Sequence, residues 1–146
     1  MDERDGRAAK ALIDALGLSP HPEGGWFRET WRAGNAPSER AAGTAIYFLL
    51  EAHQHSRWHR VDADEHWFWH AGAPITLAIA AEGGPVRECL LGGDVLAGQQ
   101  PQIGVPAHHW QAAQPMGGWA LVSCTVVPGF EFSGFTLAPE GWAPGV

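Results

Sequence analysis

Residues 59–72 read HRVDADEHWFWHAG: a histidine and a glutamate either side of a turn, then a run of alternating side chains that ends on glycine. Successive side chains of an extended strand leave opposite faces. Glu65, Trp67 and Trp69 therefore share one face, and His66, Phe68 and His70 share the other. Only one set can point into a core, and His59 and Glu65 stand close enough in sequence to serve one site.

Outward from this strand, similar segments recur about every ten residues. They span 26–32, 44–50, 75–81, 86–91, 102–105, 110–114, 119–127 and 130–137, with 65–71 among them. Gly72, Gly83, Gly84, Gly92, Gly93, Gly98, Gly117, Gly118 and Gly129 fall between or at the ends of these segments, where tight corners are needed. The single helical period is N-terminal. Ala8, Leu12, Ile13 and Leu16 recur at helical spacing over 7–16, with Asp5 available as a cap and Gly17 placed as a stop. Without further helices the strand–helix alternation of a parallel sheet is absent. Even strand spacing then predicts an all-β, antiparallel jelly-roll β-barrel with one short N-terminal helix. We expect one domain over 1–146, with the helix in 1–17 and the barrel in 24–138.

Composition supports a folded domain of ordinary size. The chain has 146 residues, 45% of them hydrophobic and 17% charged. Its net charge of -7 and lack of a basic run argue against nucleic acid or anionic lipid as partner. No segment has the length and apolarity of a membrane helix or the pattern of a signal peptide. Cys89 and Cys124 stand far apart, which favours a reducing, cytoplasmic setting.

The opening segment resembles the first cupin motif, in which two histidines one residue apart are followed by three or four residues, a glutamate, six more residues and a glycine. Glu65 and Gly72 have that spacing, His59 falls on the first histidine, and Val61 occupies the second. The second motif is matched by PAHHWQ at 106–111, with His108 in place of its glycine and Gln111 in place of its histidine. The blocks PHPEGGWFRET, GTAIYFLL, SRWHRVDADEHWFWHAG, PQIGVPAHHWQ and WALVSCTVVPGFEFSGFTLAP resemble the cupin-5 family, small cupins known as a domain of unknown function. The resemblance implies a barrel like that of sugar-nucleotide epimerases and a homodimer. It also implies a metal position at His59, Glu65 and Gln111, where a mixed nitrogen and oxygen set suits Mn, Fe, Ni or Zn. Exposed sheet edges give a second reason to expect a dimer.

Several other residues suit a small-molecule ligand. Trp67, Trp69 and Trp110 lie beside the polar positions, and an indole face stacks on sugar rings and planar bases. Glu23, on the PEGG loop, and Arg28 are placed at the barrel mouth, where Arg28 would grip a phosphate or carboxylate. His109 is a further contact, since alternation turns only one of His108 and His109 inward. His53 and His55 read as an exposed turn.

Three functions fit these residues. One is an isomerase or epimerase on a sugar-like or other polar molecule, with His59, paired with Glu65 or Asp64, as base and Tyr47 as acid. Another is a metal-dependent dioxygenase or isomerase. The third is a non-catalytic module that captures a sugar, nucleotide or small acid.

Overall fold

The computed structural model describes residues 3–34 and 38–145; residues 1, 2, 35–37 and 146 of the expected domain lie outside the described residues. The helical pattern forms α1 (Glu3–Leu16). It ends where Gly17 enters the left-handed region at φ 65°. There Leu18 N–H donates to the Ile13 carbonyl and Gly17 N–H to that of Asp14, which satisfies two carbonyls of the last turn. Asp5 is not the cap. It lies inside the helix, and its Oδ1 accepts the Trp119 backbone N–H at 3.1 Å.

The strands are β1 (Ser19–Pro20), β2 (Trp26–Arg32), β3 (Thr44–Leu50), β4 (Ser56–Val61), β5 (Asp64–Gly72), β6 (Ile75–Ala80), β7 (Arg87–Leu91), β8 (Gln102–Val105), β9 (Trp110–Pro115), β10 (Ala120–Val127) and β11 (Phe135–Leu137). They form two antiparallel sheets, ordered β1-β2-β3-β10-β5-β8 and β11-β4-β9-β6-β7. Helix α1 lies on the outer face of the first, where Ala9, Leu12, Ile13 and Leu16 bury Leu49 with Trp26 and Tyr47. The expected jelly roll is therefore the observed architecture.

Two expectations need correcting. Strand β4 is not evident in the sequence because its buried side chains are Ser56, His59 and Val61, so polar residues take inward positions that an apolar period would mark. A shift in register between Ser56 and His59 blurs the alternation further. Residues 130–137 do not form one strand: Phe132–Gly134 make a short 3-10 turn before β11. Gly134 permits this, because a Cβ there would collide with the Asp62 carboxylate.

Inward-facing side chains divide along the strands. On β3, β5 and β10, Phe48, Leu50, Trp67 and Val122 join the apolar core with Ile75, Leu77 and Ile79 of β6. One or two steps along the same strands, Thr44, Ile46, Glu65, Cys124 and Val126 line a cavity, Ile46 and Cys124 reaching the core as well. One half of the sandwich is packed solid and the other half holds the site.

Candidate functional site

The cavity has a volume of about 340 Å³ and receives His21, Glu23, His59 and Glu65 at its walls. Each comes from a different part of the fold. His59 is on β4, Glu65 faces it from β5 of the opposite sheet, and His21 and Glu23 enter on the β1–β2 loop.

That loop is held by backbone bonds and by close approach. His21 N–H donates to the Gly25 carbonyl at 2.9 Å, and Arg57 N–H of β4 donates to the Glu23 carbonyl at 2.8 Å. Gly24 has φ 107°, and a Cβ there would strike the His55 carbonyl oxygen. Gly25 has φ 81°, and its Cβ would meet the Leu49 carbonyl oxygen at 2.9 Å. The paired glycines thus bring the chain close enough for Glu23 to enter the cavity.

His59 is almost wholly buried, at 1% exposure. Its Nδ1 lies 2.6 Å from the Arg57 carbonyl oxygen, which only an N–H can satisfy. The proton of the neutral ring is thereby fixed on Nδ1, and the Nε2 lone pair faces Glu23 Oε2 at 3.5 Å. Burial lowers the His59 pKa, opposed by the charge of Glu65 and by the Arg57 carbonyl. Burial also lowers His21, to about 4, with His59 adding to the effect.

The carboxyls shift the other way. Burial raises Glu23 to about 8, against the hydrogen bond from the Ser56 hydroxyl. Glu65 is raised to about 7, chiefly by burial; the charge of His59 opposes this and that of Glu23 adds to it. At neutral pH Glu23 is mostly a neutral acid and His59 a neutral base. His21 Nδ1 accepts the Glu23 backbone N–H at 3.1 Å and lies 3.3 Å from Glu23 Oε1.

Gln111 and Trp67 set the orientation of Glu65. Trp67 Nε1–H donates to Gln111 Oε1 at 2.8 Å, and Gln111 Nε2–H donates to Glu65 Oε1 at 2.9 Å. The indole has only a proton to give, so it fixes which end of the amide is oxygen. In the expected metal set of His59, Glu65 and Gln111, the amide oxygen accepts from Trp67 and the amide turns a donor toward Glu65. Among the described residues no group of three or more His, Cys, Asp or Glu side chains is arranged to hold a metal ion. The residues present do not fit such an ion.

Of the other expected site residues, only Glu23 reaches the cavity. Tyr47 and Arg28 lie on the outer face of the first sheet, with the Arg28 guanidinium 5.7 Å from the Tyr47 ring centroid. Trp69 packs at the core margin and donates to the Ala73 carbonyl at 3.0 Å. Trp110 packs on Trp142 outside the cavity, with ring centroids 4.5 Å apart, and donates to Glu82. His109 sits in the β8–β9 turn, 3.3 Å from the Ala107 carbonyl oxygen. His108 adopts φ 68°, the left-handed conformation for which a glycine would stand at that motif position. The rings lining the cavity are Phe27, Phe130, Phe132 and Phe135, and no tryptophan is among the described lining residues. His21 and Ser56 were not foreseen; HPEGG, which places His21 two residues before Glu23, was the signal available.

A two-sheet jelly roll with a histidine and a glutamate facing each other inside it defines a cupin. More narrowly, residues 10–138 match the family described as Cupin superfamily (DUF985), and the chain belongs to it. A solved structure from Shewanella oneidensis is similar at 38% identity with a TM-score of 0.84, over 89% of this chain and 84% of that one. A hypothetical protein from Leishmania major is similar at 32% identity with a TM-score of 0.82, over 89% of this chain and 86% of that one. An oxalate decarboxylase from Bacillus subtilis shares the fold alone, at 15% identity and a TM-score of 0.64, with 82% of this chain covering 29% of that one. No curated protein matches. No helix among the described residues is long and apolar enough to cross a membrane.

Proposed function

We propose that the cavity binds a polar small molecule and moves a proton on it, as an isomerase or epimerase does. The observation that carries this reading is the buried pair of Glu23 Oε2 and His59 Nε2, 3.5 Å apart, one a neutral acid and the other a neutral base. His59 Nε2 takes a carbon-bound proton next to a substrate carbonyl; the pair of the broken C–H bond forms a carbon–carbon double bond while the carbonyl π pair moves onto the oxygen. Glu23 gives its proton to that oxygen, and return of both protons completes the reaction. Glu65 stabilises the imidazolium while it exists. Glu23 takes the acid role expected of Tyr47, which lies on the other side of the sheet.

The test is proton exchange in deuterium oxide, followed by NMR, over a panel of hydroxy-carbonyl compounds, amino sugars included. A substrate that gains deuterium with the wild-type protein, and at a rate at least ~100-fold lower with His59→Gln, supports the proposal. Saturable binding across the panel with no exchange overturns it in favour of a binding module.

A homodimer accords with the same fold. The two sheets end in β8 and β7, and beside these edges Leu90, Val95 and Leu96 are exposed, Leu96 fully.

A further inference from the structure

We propose that the ligand of this cavity is an organic cation, a small molecule bearing an amine or a quaternary ammonium group. The inference rests on the reading of the cavity as the functional site. Four carboxyl groups line it, those of Glu23, Glu29, Glu65 and Glu131, and Arg32 is the one arginine or lysine among the described lining residues.

Arg32 does not offer itself to an anion. Its Nε donates to Glu29 Oε1 at 2.8 Å, and its Nη2 donates to Glu29 Oε2 at 2.9 Å and to the Phe130 carbonyl at 3.1 Å. The bidentate pair with Glu29 already neutralises the guanidinium, and a phosphate or carboxylate on its remaining Nη1 donors would meet the charges of Glu29 and Glu131. Inside the cavity, Glu23 and Glu65 have no arginine or lysine for counterion; the groups that face them are Ser56, Gln111, His21, His59 and Cys124. A cation delivered by the ligand would favour and pair with the carboxylate form of Glu65, whereas an anion would find only acids and their carboxylates.

The aromatic wall points the same way. Phe130, Phe132 and Phe135 meet edge to face, with centroids 4.9, 5.8 and 6.1 Å apart, and Phe27 lines the cavity from β2. The segment that carries them is tied down where Phe130 N–H donates to Thr44 Oγ1 at 2.9 Å. Phe132 is 57% exposed, an aromatic ring left in water at the cavity wall. Phenyl faces attract a cation through the ring quadrupole, most strongly when both are desolvated, and they offer an anion nothing.

The test compares three probes of one shape by calorimetry: choline, its neutral isostere with carbon in place of nitrogen, and the matching carboxylate. Choline is expected to bind about tenfold more tightly than the isostere, the size of a partly desolvated cation–π contact with added charge attraction. The carboxylate is expected not to bind. Phe132→Leu and Glu131→Gln alter exposed positions and should each weaken choline several-fold more than they weaken the isostere. His59 imidazole resonances, recorded with each probe, report whether the cavity is occupied. Equal or tighter binding of the isostere or the carboxylate with a shift at His59 overturns the charge assignment and leaves the cavity reading standing. Choline binding without a shift at His59 overturns both, and binding of none of the three overturns the cationic assignment.

Discussion

Glu23 Oε2 stands 3.5 Å from His59 Nε2, although one residue comes from a loop before β2 and the other from β4 of the opposite sheet. Neither group bears a full charge at neutral pH, because burial raises the carboxyl to about 8 and lowers the imidazole. An ion pair would be worth having only if both charges were stable in this dry setting. The contact is instead an acid and a base held ready.

That arrangement makes stability depend on pH in a definite direction. Between the ordinary carboxyl value of 4.5 and the folded values of about 8 for Glu23 and about 7 for Glu65, the folded protein holds more protons than the unfolded chain. Stability from these groups is full below 4.5 and is lost as pH rises. His21, lowered from 6.5 to about 4, acts oppositely between those two values, as does His59 below 6.5. The opposing effects offset each other below pH 6.5, and the carboxyls alone act above it. Urea unfolding should show a loss of about 2 kcal/mol from pH 6.5 to 8, at about 1.4 kcal/mol per pH unit for one buried carboxyl. Glu23→Gln should flatten that fall, and an unchanged slope would place the titrating groups elsewhere.

Gly24→Ala tests the loop that delivers Glu23. The substitution meets both a φ of 107° and the His55 carbonyl oxygen, so destabilisation of about 1–3 kcal/mol is expected by thermal or urea unfolding. Proton exchange should fall with it, because the loop has to move away from β4. A stable variant with full exchange would show that Glu23 does not depend on this close approach.

Trp67→Phe keeps an aromatic ring at a buried position, removes one N–H and leaves a small void where the second ring was. Gln111 Oε1, buried with its residue at 1% exposure, then loses the donor that fixes the amide. A cost of about 1–3 kcal/mol is expected in unfolding experiments. The amide is also freed to turn its oxygen toward Glu65, which should raise the Glu65 pKa above about 7, read by carboxyl-labelled NMR titration. An unmoved titration would remove Gln111 from the description of the site.

Leu96→Asp addresses the oligomer. The side chain is fully exposed in a single copy of the chain, so the substitution should leave the unfolding midpoint of a monomer unchanged. Light scattering of the wild type should give a dimer mass, and the variant should shift toward the monomer. A wild-type monomer would dispose of the dimer proposal directly.

Much of the fold was legible because it follows from local rules. The apolar period of α1 and its glycine stop, the alternation that turns Glu65 and Trp67 inward together, and the turn glycines between strands act within a few residues of one another. They were enough to define an antiparallel jelly roll, while His59 and Glu65 were singled out by the resemblance to the cupin motif and Glu23 by its glycine-rich loop. Strand β4 escaped because Ser56 and His59 occupy inward positions, and that exception to the apolar pattern is itself part of the site.

The pairing of distant residues was decided by tertiary structure alone. Sheet order puts His59 opposite Glu65, and the close approach permitted by Gly24 carries His21 and Glu23 in beside them. The same packing seals Trp67 beneath the cavity, leaves Trp110 on Trp142 outside it, and puts Tyr47 under α1. Position beside the polar residues points to tryptophan in the sequence, whereas the loop and turn before β11 bring phenylalanines to the wall. Alternation along a strand says which side chains share a face; which faces meet, and which protonation states survive there, depends on burial that exists only once the two sheets have closed on each other.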